Sequence, residues 1–143
     1  MAHRFTMTRR VTFAETDMAG ILHFSNYFRF MEEAEHAFFR SLGFRVHLCE
    51  RSGAWGWARR NASCDFRRPL RYEDEVELQL LVKEKRKKAL VYQVRFVLED
   101  QEVARGEVTA VCVTKAADGQ LRAATIPPAV DAAVEAAPAD MTL

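Results

Sequence analysis

The sequence has little that would staple it covalently or mark it for a highly charged partner. Its 143 residues include three cysteines, Cys49, Cys64 and Cys112, far apart and odd in number. That pattern argues against a disulfide framework and offers no short metal-ligand spacing. No metal site is therefore expected, and the thiols read as reduced, as in a cytoplasmic protein. An excess of one charge is also missing, because 21 Lys and Arg face 20 Asp and Glu, for a formal net charge of +1. Without a global field, neither nucleic acid nor a membrane surface is an expected partner, and any basic patch must be local. No apolar run is long enough to span a bilayer, so no membrane insertion is expected. Met1-Ala2-His3-Arg4 leads into mixed residues rather than the apolar run of a secretory signal. No internal repeat or dividing linker is found.

What remains is an ordinary globular composition, 49% hydrophobic and 29% charged, of a length that suits one domain. The expected division is a single domain over 1–128 and an Ala-rich C-terminal tail over 129–143, a short helix or a loose end to which no chemistry is assigned.

Met7 to Phe13 interleaves β-branched and aromatic residues with Arg9 and Arg10, which predicts a first strand with one wet face. A polar, small-residue loop follows from Ala14 to Gly20. Ser25 or Asn26 is the expected N-cap of a helix. Beyond it, Tyr27, Phe30, Met31, Ala34, Ala37, Phe38, Ser41 and Leu42 recur at three- and four-residue steps, and Gly43 is the natural stop. This is the one long helix, about 18 residues and 27 Å, with Glu32, Glu33 and Glu35 expected on its solvated side. Trp55 to Phe66 reads as a strand, and Pro69 marks a turn or an edge. Val76, Leu78, Leu80 and Val82, then Leu90, Tyr92, Val94, Phe96 and Leu98, alternate by two and predict half-buried antiparallel strands. Val103 to Thr114 closes a meander. One helix and about five strands in the order β–α–β–β–β–β describe an α+β domain with the helix against one face of an antiparallel sheet.

Two local features invite a chemical reading. Asp17 sits in the loop before the helix, where a carboxylate alone is as readily the cap of a turn as a reactive group. Arg86, Lys87 and Lys88, with Lys83 and Lys85, make a basic hairpin between two strands. Such a hairpin either blunts a sheet edge or binds phosphate. Arg59, Arg60, Arg67 and Arg68 are not distinguished by spacing from surface charge. Trp55 and Trp57 are expected in core or interface packing.

The run Thr12 to Glu32, through Asp17, Gly20, Asn26-Tyr27 and Glu32, resembles the signature of the 4-hydroxybenzoyl-CoA thioesterase-like branch of the hotdog superfamily. Phe66, Pro69 and Asp74 resemble its second block, so the likeness covers roughly Met7 to Thr114. The resemblance implies a hotdog fold, one long central helix wrapped by a five-stranded antiparallel sheet. It also implies that two protomers pair edge to edge, as a homodimer or a tetramer of dimers, with the site at their interface.

For this chain the resemblance implies acyl-CoA thioester hydrolysis, with Asp17 as nucleophile or general base. The backbone N–H groups of Phe24 and Ser25, at the helix start, would polarise the thioester carbonyl. Gly20, Asn26 and Tyr27 would shape the substrate site, Arg86, Lys87 and Lys88 would hold the CoA phosphates, and Glu32 would steady the Asp17 loop. No cofactor is implied, since CoA belongs to the substrate. His23 stands where relatives carry an aromatic residue, and Phe24 where the tol-pal-associated branch has its histidine. His23 is thus either a proton carrier or acyl contact in the pocket, or a packed or solvated side chain. The acyl group, aromatic or short to medium aliphatic, is left open. So are two competing readings, an acyl-carrier-protein thioesterase whose basic hairpin docks an acidic partner, and a non-catalytic acyl-CoA or partner-binding hotdog protein. A hydratase is disfavoured, because no Asp-x-Asn-x-x-His pattern occurs.

Overall fold

The computed structural model describes residues 1–44, 48–50 and 53–141. Seven strands are described: β1 (Arg4–Arg10), β2 (Leu48–Glu50), β3 (Gly53–Phe66), β4 (Glu75–Lys85), β5 (Ala89–Leu98), β6 (Gln101–Lys115) and β7 (Leu121–Ala123). A long helix α1 (Ser25–Ser41) and a short one, α2 (Pro128–Ala133), accompany them. All strand pairs are antiparallel, in the order β1-β4-β5-β6-β3-β2, with β7 beside β6. The five long strands are those the alternation predicts. The sheet is larger than the expected five by β2 and β7, three residues each and too short to leave a period in the sequence.

Alternation decides which face is dry. Val76, Leu78, Leu80 and Val82 on β4 and Leu90, Tyr92, Val94 and Phe96 on β5 are all buried, as period-two strands covered on one side require. Glu99 and Asp100, at φ of 50° and 63°, form the two-residue turn joining β5 to β6, a geometry that matches strand twist. The first strand begins and ends earlier than expected. After Arg10, Val11 turns into the core, fully buried, and Phe13–Glu15 winds into a 3₁₀ turn.

Helix α1 lays Tyr27, Phe30, Met31, Ala34, Phe38 and Phe39 across the sheet. It approaches so closely that a Cβ on Gly106 would lie 2.2 Å from the Met31 sulfur. Gly43, at φ 86°, ends the helical segment as expected. Two acidic residues depart from the expected solvated side. Glu35 is only 2% exposed, and Glu33 pairs with Arg9.

Val130 and Val134 are buried in the same core, and Ala2 bonds Ala133 and Glu135 through its N–H and C=O. Cys64 and Cys112 are free thiols; the side chain of Cys49 lies outside the described residues. Among the described residues no helix is long and apolar enough to cross a membrane.

Candidate active site

The loop between β1 and α1 is held by its backbone and one carboxylate. Glu15 accepts from the Thr12 N–H at 2.8 Å and from Arg9 at 3.0 and 2.5 Å. Burial alone would raise the Glu15 carboxyl, but the Arg9 and Thr12 bonds outweigh it and hold the group below the usual carboxylate range. The Glu15 carbonyl in turn accepts from the His23 N–H at 2.9 Å and from the Asn26 side chain at 2.8 Å. Thus Asn26, buried inside the first helical turn, staples the loop to the helix instead of capping it or facing a ligand. Glu32, expected to steady the loop, pairs with Arg59 instead, while Arg9, Glu15 and Glu33 do the steadying. The Thr12-to-Glu15 spacing is that of a capping box, a signal the sequence offered.

Within this frame Asp17 opens a tight turn. Its carbonyl accepts from the Gly20 N–H at 2.9 Å, and its Oδ1 accepts from Ala19 N–H at 2.9 Å and Ile21 N–H at 3.4 Å. Gly20 sits at φ 80° with nothing within 4 Å of a hypothetical Cβ, so the turn needs glycine for its backbone angle and not for space. Leu22 N–H bonds the Leu70 carbonyl at 2.7 Å and closes the loop onto the segment after β3. A cleft results, with Asp17, Phe24 and Tyr27 on one side and Phe66, Arg67 and Arg68 on the other. Tyr27 is buried edge-on against Phe66, ring centroids 4.8 Å apart. Phe13, Met18, Phe24, Phe66 and Tyr72 stand exposed around the loop, the kind of apolar rim that ligands or a second chain cover.

The helix start differs from the expected cap. The capping position is Phe24, with helical angles and no side-chain bond, and Ser25 and Asn26 already belong to the first turn. Ser25 N–H points to His23 Nδ1 at 3.2 Å, Asn26 N–H to the His23 carbonyl at 2.9 Å, and Tyr27 N–H to the Phe24 carbonyl at 3.3 Å. Among the described hydrogen bonds, the Phe24 N–H alone of these four donates to no acceptor. Since His23 Nδ1 accepts from a main-chain N–H, the neutral ring carries its proton on Nε2. His23 is exposed, stacked on Phe24 at 4.7 Å and bonded to the Ser25 hydroxyl at 2.8 Å, with no bond to Asp17.

Other expected site residues lie elsewhere. Phe66 is level with Ala104 and Phe96, whereas Arg86 to Lys88 precede Ala89, seven residues along β5. At about 3.4 Å per residue the basic hairpin is about 24 Å from that end of the sheet within one protomer. Arg86 is paired with Glu84, while Lys87 and Lys88 are exposed. Arg59, which spacing left as a surface charge, grips the buried Glu35 with two bonds of 2.7 and 2.6 Å. Burial pushes the Cys64 thiol up to about 12, which leaves it inert as a nucleophile. Among the described residues no cluster of His, Cys, Asp and Glu is arranged to hold a metal ion.

Comparison with known proteins agrees with this architecture. Residues 11–134 match the family described as the thioesterase-like superfamily. A curated protein of Aquifex aeolicus, provisionally assigned as an esterase, is 38% identical over 111 residues, covering 78% of this chain and 85% of its own. The 4-hydroxybenzoyl-CoA thioesterase of Pseudomonas sp. is 32% identical over 94 residues, 64% of this chain and 66% of that one. Among solved structures, a gentisyl-coenzyme A thioesterase superposes with a TM-score of 0.77 at 29% identity, over 90% of this chain and 98% of its own. The chain therefore belongs to the thioesterase-like superfamily and is a thioester hydrolase of the hotdog fold.

Proposed function

We propose that the protein hydrolyses an aromatic acyl-CoA to the free acid and CoA, with Asp17 as the reacting carboxylate and the Phe24 N–H as the donor to the thioester oxygen. The observation that carries this reading is the pairing of two groups at one cleft. Asp17 has both its side-chain hydrogen bonds on Oδ1 and no cation beside it, so Oδ2 keeps its lone pairs for attack on carbon or for activating water. Phe24 N–H opens a 17-residue helix, where the helix dipole favours the negative charge that develops on the carbonyl oxygen. Phe24 serves through its backbone. Ser25 N–H, engaged by His23, joins only when that ring turns away.

The aromatic acyl group is taken from the relatives. The Pseudomonas enzyme is named for 4-hydroxybenzoyl-CoA, and a Synechococcus relative, 29% identical over 115 residues, for 1,4-dihydroxy-2-naphthoyl-CoA. The CoA phosphates are held in a dimer. Strand β3 is paired on its outer side only over Gly53–Trp55, which leaves an edge open toward Phe66. Antiparallel pairing of two such edges turns the second copy end for end. Its Arg86 to Lys88 hairpin then lies at the Phe66 end of the first, three strand spacings or about 14 Å away.

Free-thiol release over a panel of aryl- and alkyl-CoA esters tests the activity. Faster release from aryl esters is expected, and no release from any ester would refute it. Charge reversal at Arg86, Lys87 and Lys88 should raise KM for CoA esters more than for truncated pantetheine esters; equal effects would remove the hairpin from phosphate binding. Size-exclusion with light scattering should show a dimer or tetramer, and a strict monomer would contradict the shared site.

A further inference from the structure

A second cavity lies between α1 and the sheet, away from Asp17, and its polar end is unusual. Phe28, Met31, Val94 and Val108 give it apolar walls, and it encloses about 590 Å³ of empty space including its open mouth. That is room for a one- or two-ring group. At the far end Glu35 and Arg59 are locked together, and Glu32 adds a single bond to Arg59 at 3.2 Å. Tyr92 lines the same cavity. Its hydroxyl is buried and has no hydrogen-bond partner, which is costly for a buried polar group. Burial, with the Glu35 carboxylate nearby, raises the phenol far above its ordinary value, so it stays protonated and can donate.

The cavity is in line with the Asp17 cleft. Phe24 belongs to the cleft, while Phe28 and Glu32, four and eight residues on, belong to the cavity. Residues at that spacing share one helix face, and each step of four advances about 6 Å. An acyl group whose carbonyl meets the Phe24 N–H thus runs into an apolar passage that ends in polar groups.

We propose that this cavity receives the acyl group and that the Tyr92 hydroxyl, beside the Glu35–Arg59 pair, selects acyl groups carrying a neutral oxygen at their far end. The inference rests on the acyl-CoA thioesterase reading above. A ring hydroxyl satisfies the Tyr92 hydroxyl as acceptor and has a proton to offer Glu32. An unsubstituted ring leaves the phenol unpaired. A terminal carboxylate meets Glu32 and Glu35 with only Arg59 already spoken for, so it is repelled.

The test compares kcat/KM for matched CoA esters with and without a terminal hydroxyl, benzoyl against 4-hydroxybenzoyl and 2-naphthoyl against 6-hydroxy-2-naphthoyl. The wild-type protein should prefer the hydroxylated member of at least one pair. Tyr92→Phe, which deletes one oxygen from a packed ring, should shrink that preference about five- to ten-fold. Circular dichroism of Tyr92→Phe controls for folding. Calorimetric binding of the same esters to Asp17→Asn repeats the comparison without turnover, in wild-type and Tyr92→Phe backgrounds. A hydroxyl preference that is absent, or unchanged by Tyr92→Phe in both measurements, overturns the proposal. Binding with the predicted preference but no hydrolysis of any ester would instead overturn the thioesterase reading and leave the subsite standing.

Discussion

Asp17 and Glu35 are carboxylates of the same protomer held in opposite ways. Glu35 is buried and gripped by both terminal nitrogens of Arg59. Asp17 is half-buried at a cleft and held by main-chain N–H groups alone. A carboxylate clamped by a guanidinium has spent its lone pairs and is chemically quiet. One held through a single oxygen by amides is positioned and still free to react. The contrast separates structure from chemistry in residues that look alike in sequence.

The comparison breaks first at the buried pair. Arg59→Leu should destabilise the fold by about 3–5 kcal/mol, because Glu35 is left charged and unpaired in the core. Adding Glu35→Leu should restore much of that loss. Denaturant midpoints of the single and double variants measure both effects, and equal midpoints for single variant and wild type would mean the pair is idle.

At the other carboxylate's cleft, Phe24→Pro removes the free N–H at a residue whose φ of −56° proline can adopt. We expect kcat to fall about 100-fold or more, the loss typical of an oxyanion donor. Phe24→Ala keeps the donor and should stay within a few-fold. Similar losses in both variants would assign the role to the ring.

Gly20→Ala should cost about 1 kcal/mol of stability, since its φ of 80° is strained for any residue with a Cβ. Thermal unfolding would read it, and an unchanged midpoint would show that the Asp17 turn relaxes. The smallest effect is at Glu15. Its folded carboxyl lies below the usual range, so its contribution is present above the unfolded value and lost as pH falls through the folded one. Glu15→Gln should therefore lower stability at neutral pH, and the difference from wild type should narrow toward about pH 3. A gap that widens in acid would contradict the Arg9 clamp.

The fold was largely legible because its cues are periodic. Val76 to Val82 and Leu90 to Leu98 announce strands, the Tyr27 to Leu42 stripe announces the helix, and Gly43 its end. Leu48–Glu50 and Leu121–Ala123 were not, since three residues carry no period. Asp17 and Gly20 were legible as a motif, but the engagement of Ser25 N–H by His23 depends on a ring orientation that residue order does not encode. Glu35 lies four residues from Met31 and from Phe39, on the buried side of the helix. That position was readable, yet its partner Arg59 is supplied by a strand 24 residues away and could be found only by folding the chain.

The most direct measurement of the central claim is single-turnover thiol release from an aromatic acyl-CoA by wild-type protein and Asp17→Asn, alongside their unfolding midpoints. The account predicts a loss of about 100-fold or more in rate, as when a positioned acid–base group is removed, with little change in stability. Equal rates in the two proteins would contradict it.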